Sequence, residues 1–326
     1  MSRLNSMSAR AHSVFAEPWW LDAVAPGRWD AASVDIDGET VAYWPYTIDR
    51  MVGGLVRVGA APLTPYLGPH VCVAEGAKRP KQISISYGLV EQLLAQLPDY
   101  DVCKLILRPD EGPWYPLHAA GFSVKARQTY VIDDPSDMTA VWANASGRIR
   151  RAVRKAEKRL AVTTELDSEA LWQMVRGTFG RQDRSVPYDE GFLARCVDAA
   201  TTRDRGRVLV ARDEAGRPHA AVFVVWDQDR TYYLVGGADP SLRESNGPSL
   251  LLCEAIKHSG STSRAFDFEG SMLPNVEHFF STFGGRPETV LEVLDFSARG
   301  QLAWNAHAAG TSIVGGLRDA WDRRRT

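Results

Sequence analysis

Short runs of alternating or continuous apolar positions recur along the chain, and they predict strands. In the first half they cover residues 39–48, 55–63, 103–107 and 128–132; in the second, 207–212, 220–226, 232–235, 265–268 and 289–296. β-Branched and aromatic residues fill these runs and Gly, Pro or Asp bound them, as a pleated, half-buried surface requires. Apolar residues at three- and four-residue spacing predict helices over 87–96, 146–160, 168–179, 190–200 and 248–257.

The order of these parts repeats. In the first half a strand opens at Gly38-Glu39-Thr40, and a turn follows at Pro65-Tyr66-Leu67-Gly68-Pro69. A helix, a strand, a short helix over 114–120 ending at Gly121, and a last strand complete it. The second half offers a strand over 216–224, a turn at 237–240, a helix over 250–256 and a strand at Phe266-Asp267-Phe268. A helix over 276–283 then ends at Gly284-Gly285 before a last strand. Duplication of one α/β unit accounts for this order; two unrelated α/β domains are the alternative. A chain of 326 residues is also long for a single core. The expected fold class is therefore α/β (α+β), with two tandem domains over 1–140 and 141–296, each a mixed twisted sheet flanked by helices.

The segment 144–159 joins the halves. Ile149, Val153, Ala156 and Leu160 form one apolar helical stripe. Around it stand Arg148, Arg150, Arg151, Arg154, Lys155, Lys158 and Arg159, against the single acid Glu157. Like charges one turn apart repel, so such a face is either a solvated surface or one that phosphates neutralise. The formal net charge of the chain is only −2, which confines any nucleic-acid contact to local patches of this kind.

Several chemistries lack support. Cys72, Cys103, Cys196 and Cys253 are scattered without a C-x-x-C pair, and the histidines show no ligand spacing, so small buried thiols and no metal are expected. There is no G-x-S-x-G, no P-loop and no G-x-G-x-x-G following a strand. The N-terminus carries no signal-type apolar run, and no window is apolar enough to span a membrane; a cytoplasmic location is expected. What remains is direct transfer, in which an amine attacks a carbonyl already activated by its carrier and the protein positions the two and stabilises the oxyanion.

Two stretches carry a family resemblance. The run from Ser146-Gly147-Arg148-Ile149 to Lys158 resembles the basic helix that opens the second domain of Fem-type aminoacyltransferases. Phe266-Asp267-Phe268-Glu269-Gly270-Ser271, followed by Phe279 and Phe283-Gly284-Gly285, resembles their late strand-and-helix signature, and residues 62–69 are similar to a first-domain loop of related sequences. The resemblance implies two tandem GNAT-like domains, with residues 297–326 packing back on the first, and a compact form without a long helical arm. It also implies transfer of an amino acid from aminoacyl-tRNA to an amine of a peptide or peptidoglycan-precursor-like acceptor. The partners would be charged tRNA and a small peptide, peptidyl-nucleoside or nucleotide-linked acceptor, with aminoacyl-tRNA as co-substrate, no further cofactor, and a monomeric chain. Family members commonly carry Lys after the Phe matching Phe279, whereas here Phe280 follows.

The candidate site residues follow from both readings. Asp267 and Glu269, two apart in a strand-like run, would share a face, and paired carboxylates raise one pKa toward that of a proton acceptor; the alternative is bonding to loops or to Arg. Arg181, Arg184 and Tyr188 lie in a polar stretch suited to an acceptor phosphate or carboxylate, or form an ordinary surface loop; Arg and Tyr at this spacing are similar to the family's substrate contacts. Tyr232 and Tyr233 alternate, placing one in the core and Tyr233 toward a cleft. Phe279 is assigned to substrate by the resemblance. For tRNA phosphates the candidates are Arg148, Arg151, Arg154, Lys155, Lys158 and Arg243. The turn Arg243-Glu244-Ser245-Asn246-Gly247-Pro248 sits where acetyl-CoA-using GNATs carry their phosphate loop, yet Pro248 has no N–H to donate and Asn246 adds a side chain where backbone must approach. Alternatives to tRNA-dependent transfer are an acyl-CoA-dependent N-acyltransferase and a non-catalytic nucleotide-sugar or RNA-binding protein.

Overall fold

The computed structural model describes residues 13–73, 76–108, 112–164, 167–181, 185–270 and 272–308. Its described residues divide into two compact units, 13–127 with 289–308, and 128–288. The breaks fall inside two strands, at 127/128 and 288/289.

In the first unit the chain forms α1 (Pro18–Val24), β1 (Trp29–Ile36), β2 (Glu39–Arg50), β3 (Val56–Gly59) and β4 (His70–Val71). Then come α2 (Arg79–Leu94), β5 (Val102–Leu107), α3 (Tyr115–Ala119) and the start of β6 (Ser123–Ile132). β1 and β2 pair antiparallel, as do β2 and β3, while β3 and β5 run parallel. Trp44, Leu93, Leu105, Leu117 and Phe122 lie in its core, with Val293 supplied by the returning chain. The prediction misses β1, whose outer positions are exposed, and begins α2 two turns late. In those turns Ile83 and Ile85 face solvent, so no apolar stripe betrays the helix.

The second unit begins in β6 and continues through α4 (Met138–Asn144), α5 (Gly147–Glu157), β7 (Ala161–Thr163), α6 (Ser168–Arg181) and α7 (Glu190–Thr201). There follow β8 (Gly206–Arg212), β9 (Pro218–Trp226), β10 (Arg230–Ala238), α8 (Gly247–Ser259), β11 (Ala265–Asp267) and α9 (Pro274–Ser281). β8 and β9 pair antiparallel, as do β9 and β10, while β10 and β11 run parallel. The order and sense of pairing found in the first unit thus recur. β6 flanks β11 antiparallel, with Val131 opposite Asp267. β12 (Arg286–Phe296) then leads into α10 (Ala298–Ala308), and its residues 291–296 pair antiparallel with β5. At the start of α10 the Ser297 hydroxyl donates to Asp101 at 2.9 Å, and Gly300 packs closely on the Asp101 carbonyl.

Local chemistry explains the elements that frame the site. The stripe Ile149, Val153, Ala156 and Leu160 is buried throughout, and the Ser146 hydroxyl caps α5 by accepting from the Ile149 N–H at 3.2 Å. α8 is apolar nearly all round, with Leu250, Leu251, Leu252, Ala255 and Ile256 in the core. β10 packs under α6 so closely that a Cβ on Gly237 would stand 2.1 Å from the Met174 carbonyl oxygen, so only glycine fits there.

Candidate functional site

The late strand ends in a turn that separates the two expected carboxylates. Asp267, the last residue of β11, is fully buried, and its carboxylate accepts from the Thr129 hydroxyl at 2.6 Å, the Arg230 guanidinium at 3.0 Å and the Glu269 backbone N–H at 2.8 Å. Arg230 also reaches Glu288 at 2.7 Å. The bond back from Glu269 closes an Asx-type turn, and Glu269 and Gly270 both adopt left-handed backbone, φ 62° and 64°. Gly270 is held there because a Cβ would lie 2.2 Å from the Gln128 carbonyl oxygen. The two carboxylates therefore do not share a strand face: the alternation stops at Asp267, whose side chain is consumed in shaping the turn. Asp267 positions; Glu269, half-buried, is the carboxylate the turn presents. A non-glycine residue held at positive φ by its surroundings marks stored strain of the kind found at working sites.

Two tyrosines feel the charge of this carboxylate. Tyr188, just before the Asp189 cap of α7, stacks on Phe192 with ring centroids 5.1 Å apart and leans on Trp172 at 6.4 Å. Its hydroxyl is buried and has no hydrogen-bond partner among the described residues. Tyr233 stands in β10 beside a bulge that shifts the register between Tyr233 and Val235. Phe280 packs edge-on against it at 5.8 Å, and its hydroxyl lies against Gly236, where an added Cβ would approach within 2.7 Å. Burial pushes both phenols far above their ordinary range, and the Glu269 charge pushes each further, with Cys196 acting on Tyr188 ahead of it. Both phenols therefore hold their protons at physiological pH. The arrangement sets a carboxylate able to accept a proton near two hydroxyls able to donate to an oxyanion. Tyr232, by contrast, is fully buried and donates to Asp227 at 3.3 Å.

Phe279 is half-buried and packs on Phe280 and Phe283, at 6.0 and 5.3 Å. Phe280, where the resemblance leads one to look for a lysine, is 5% exposed and rests on Phe268 as well as Tyr233, so it braces the site rather than charging it. Arg181 is exposed at the end of α6, Arg243 is exposed on the turn before α8, and Arg184 lies outside the described residues. Sequence reasoning did not find Thr129, Arg230 or Trp172. A signal for the first two existed, since an aspartate between two core phenylalanines needs donors from the flanking strands.

The α5 cations Arg148, Arg151, Arg154, Lys155, Lys158 and Arg159 are all exposed, and among the described residues none forms an ion pair. Arg150 differs: its guanidinium caps the Trp142 carbonyl at 2.9 Å. At the start of α8, the Ser249 and Leu250 N–H groups bond the Asn246 carbonyl at 3.1 and 3.2 Å, the Gly247 N–H meets the Ser245 hydroxyl at 3.4 Å, and Pro248 has none. The backbone donors with which a helix start binds phosphate are thus engaged within the turn.

Residues 143–275 match the family described as Acetyltransferase (GNAT) domain. The matched stretch falls within the second unit. No curated protein matches this sequence. The fold as a whole is shared with solved structures at low identity. The crystal structure of FemX is 14% identical, with TM-score 0.62, 88% of this chain covered and 93% of that one. The C-terminal domain (DUF2156) of a protein described as a lysylphosphatidylglycerol synthetase from Agrobacterium fabrum is 13% identical, with TM-score 0.56 and coverage of 97% and 95%. L-PGS from Bacillus licheniformis is 12% identical, with TM-score 0.50 and coverage of 91% and 91%.

Proposed function

We propose that this chain is an aminoacyltransferase that moves an amino acid from aminoacyl-tRNA to an amine of a peptide or peptidoglycan-precursor-like acceptor, forming an amide bond in the cytoplasm. The observation that carries the reading is α5, a basic face that is exposed and, among the described residues, unpaired in a chain of net charge −2. Such a face suits an acyl carrier that brings many phosphates. The engaged N–H groups at the start of α8 favour the same carrier over one bound there through a pyrophosphate. In this reading the first unit is a second copy of the GNAT fold, supported by its repeated order and sense of strands.

The acceptor amine attacks the ester carbonyl carbon, forming the C–N bond and placing the electron pair on oxygen. Tyr188 and Tyr233 donate to that oxyanion, and Glu269 takes the proton the nitrogen sheds. Collapse of the intermediate re-forms the carbonyl and breaks the C–O bond to the tRNA ribose, whose oxygen leaves with the proton that Glu269 returns. The test is a transfer assay with charged tRNA pools and peptide or nucleotide-linked amines: product that survives ribonuclease treatment of the tRNA overturns the reading. The GNAT family match favours, as a second reading, acyl-CoA-dependent N-acylation. Calorimetric titration with acetyl-CoA separates the two, since micromolar binding would select the second.

A further inference from the structure

We propose that the first unit docks on an anionic lipid surface through the face made by the first two turns of α2 together with α3. α2 packs only its second half into the core, through Leu89, Val90 and Leu93. Its first half stands in solvent carrying apolar side chains: Ile83 is 45% exposed and Ile85 38%. Arg79, Ile83 and Tyr87 follow one another at four-residue spacing and share a helix face. Tyr87 stacks on Tyr115 of α3 with centroids 5.6 Å apart, and Trp114 leans on Tyr115 at 6.1 Å. Trp114 is 42% exposed and Tyr115 50%. Along this face Arg79 and Ile83 are exposed and Tyr87 is half-buried, so the stripe runs from cation through aliphatic to aromatic groups, while Lys81 and Ile85 share a second face of the same two turns.

The stripe is doubly unfavourable in water. Its apolar groups are unburied, and Lys78, Arg79 and Lys81 crowd the N-terminal end of α2, where the helix dipole already presents positive charge. Among the described residues these cations form no ion pair, and α2 carries no acid in its first turn. An anionic surface with an apolar layer beneath it relieves both at once: Trp and Tyr settle at the membrane–water interface, aliphatic groups pass below it, and lysine and arginine meet the headgroups. RNA fits less well, because Ile83 and Ile85 offer nothing for a base to stack on and the Tyr87 and Tyr115 rings already face each other. No helix among the described residues is long and apolar enough to cross a membrane, so the attachment is peripheral.

The experiment is co-sedimentation of the full chain with vesicles of phosphatidylcholine alone and of phosphatidylcholine containing phosphatidylglycerol. Binding is expected only to the anionic vesicles and is expected to weaken at high salt. Each α2 cation near the surface is worth about fivefold in binding, so the triple substitution Lys78→Gln, Arg79→Gln, Lys81→Gln lowers it by about a hundredfold. Ile83→Ser with Trp114→Ala lowers it by more than tenfold, and thermal melts matching the wild type show that these exposed positions leave folding intact. Absence of anionic-vesicle binding overturns the proposal, as does binding that survives both variants. Binding that falls with charge-reversed α5 but not with the α2 variants overturns it too, as does an α2 triple variant that loses tRNA affinity alone.

Discussion

The Asp267 carboxylate accepts a hydrogen bond from the backbone N–H of Glu269 at 2.8 Å, and this one contact assigns different work to two acids that the sequence presents as a pair. Asp267 is buried between Thr129 and Arg230, whereas Glu269 is turned out by a left-handed backbone. Replacing Asp267 by Ala should therefore cost stability, about 3 kcal/mol, because a buried guanidinium loses one of its partners. Glu269→Gln, which keeps the shape of the side chain, should cost less stability than that and lower kcat by about a hundredfold or more if it is the proton acceptor. Urea melts and transfer rates on both variants check this, and the reverse pattern would sink the division of roles.

Tyr188→Phe removes a buried hydroxyl that has no partner among the described residues. Losing an unsatisfied polar group should be neutral or stabilising, by up to about 1 kcal/mol. If the hydroxyl meets the oxyanion during transfer, the same substitution should lower kcat by about a hundredfold with little change in KM. A variant both as active and as stable as the wild type would remove Tyr188 from the chemistry.

Much of the fold was legible because its periodicities are local. The α5 stripe is buried residue for residue, and the strands near β2, β5, β8, β9 and β10 were found. What escaped was set by partners distant in sequence. β6 begins at Ser123 rather than 128, and its solvent-facing start is fixed only by strand pairing. The candidate site was legible in composition but not in geometry. Glu269 was found as a carboxylate, yet its separation from Asp267 depends on Thr129, Arg230 and the Gln128 carbonyl, which no local spacing reveals.

Acid should loosen the first unit through Glu292. Burial alone would raise this carboxyl, but Lys104 at 3.0 Å and Arg127 at 2.9 Å outweigh it and hold it below its ordinary value of 4.5. A folded pKa below the unfolded one contributes stability that is complete above the unfolded value and is lost as pH falls through the folded one. Stability should therefore decline as pH drops below about 4.5, and Glu292→Gln should flatten that decline while lowering stability at pH 7. Urea melts across this range check the sign. An unchanged acid slope in the variant would show that the pair is not the source.

The basic face of α5 makes the most direct claim on the carrier. Because Arg148, Arg151, Arg154, Lys155, Lys158 and Arg159 are exposed and unpaired among the described residues, neutralising any of them removes no internal contact, and melts should be unchanged. Like charges are relieved, so stability should if anything rise by a few tenths of a kcal/mol. If these cations meet tRNA phosphates, the slope of log affinity against log salt should fall by about one for each cation that makes a contact. Titrating labelled tRNA against Arg151→Gln, Arg154→Gln and the double variant over a range of salt distinguishes the outcomes. A slope that steps down with each substitution places phosphates on the helix. A slope identical to wild type in the double variant means that α5 is only a solvated face, and the carrier must then be sought elsewhere on the chain.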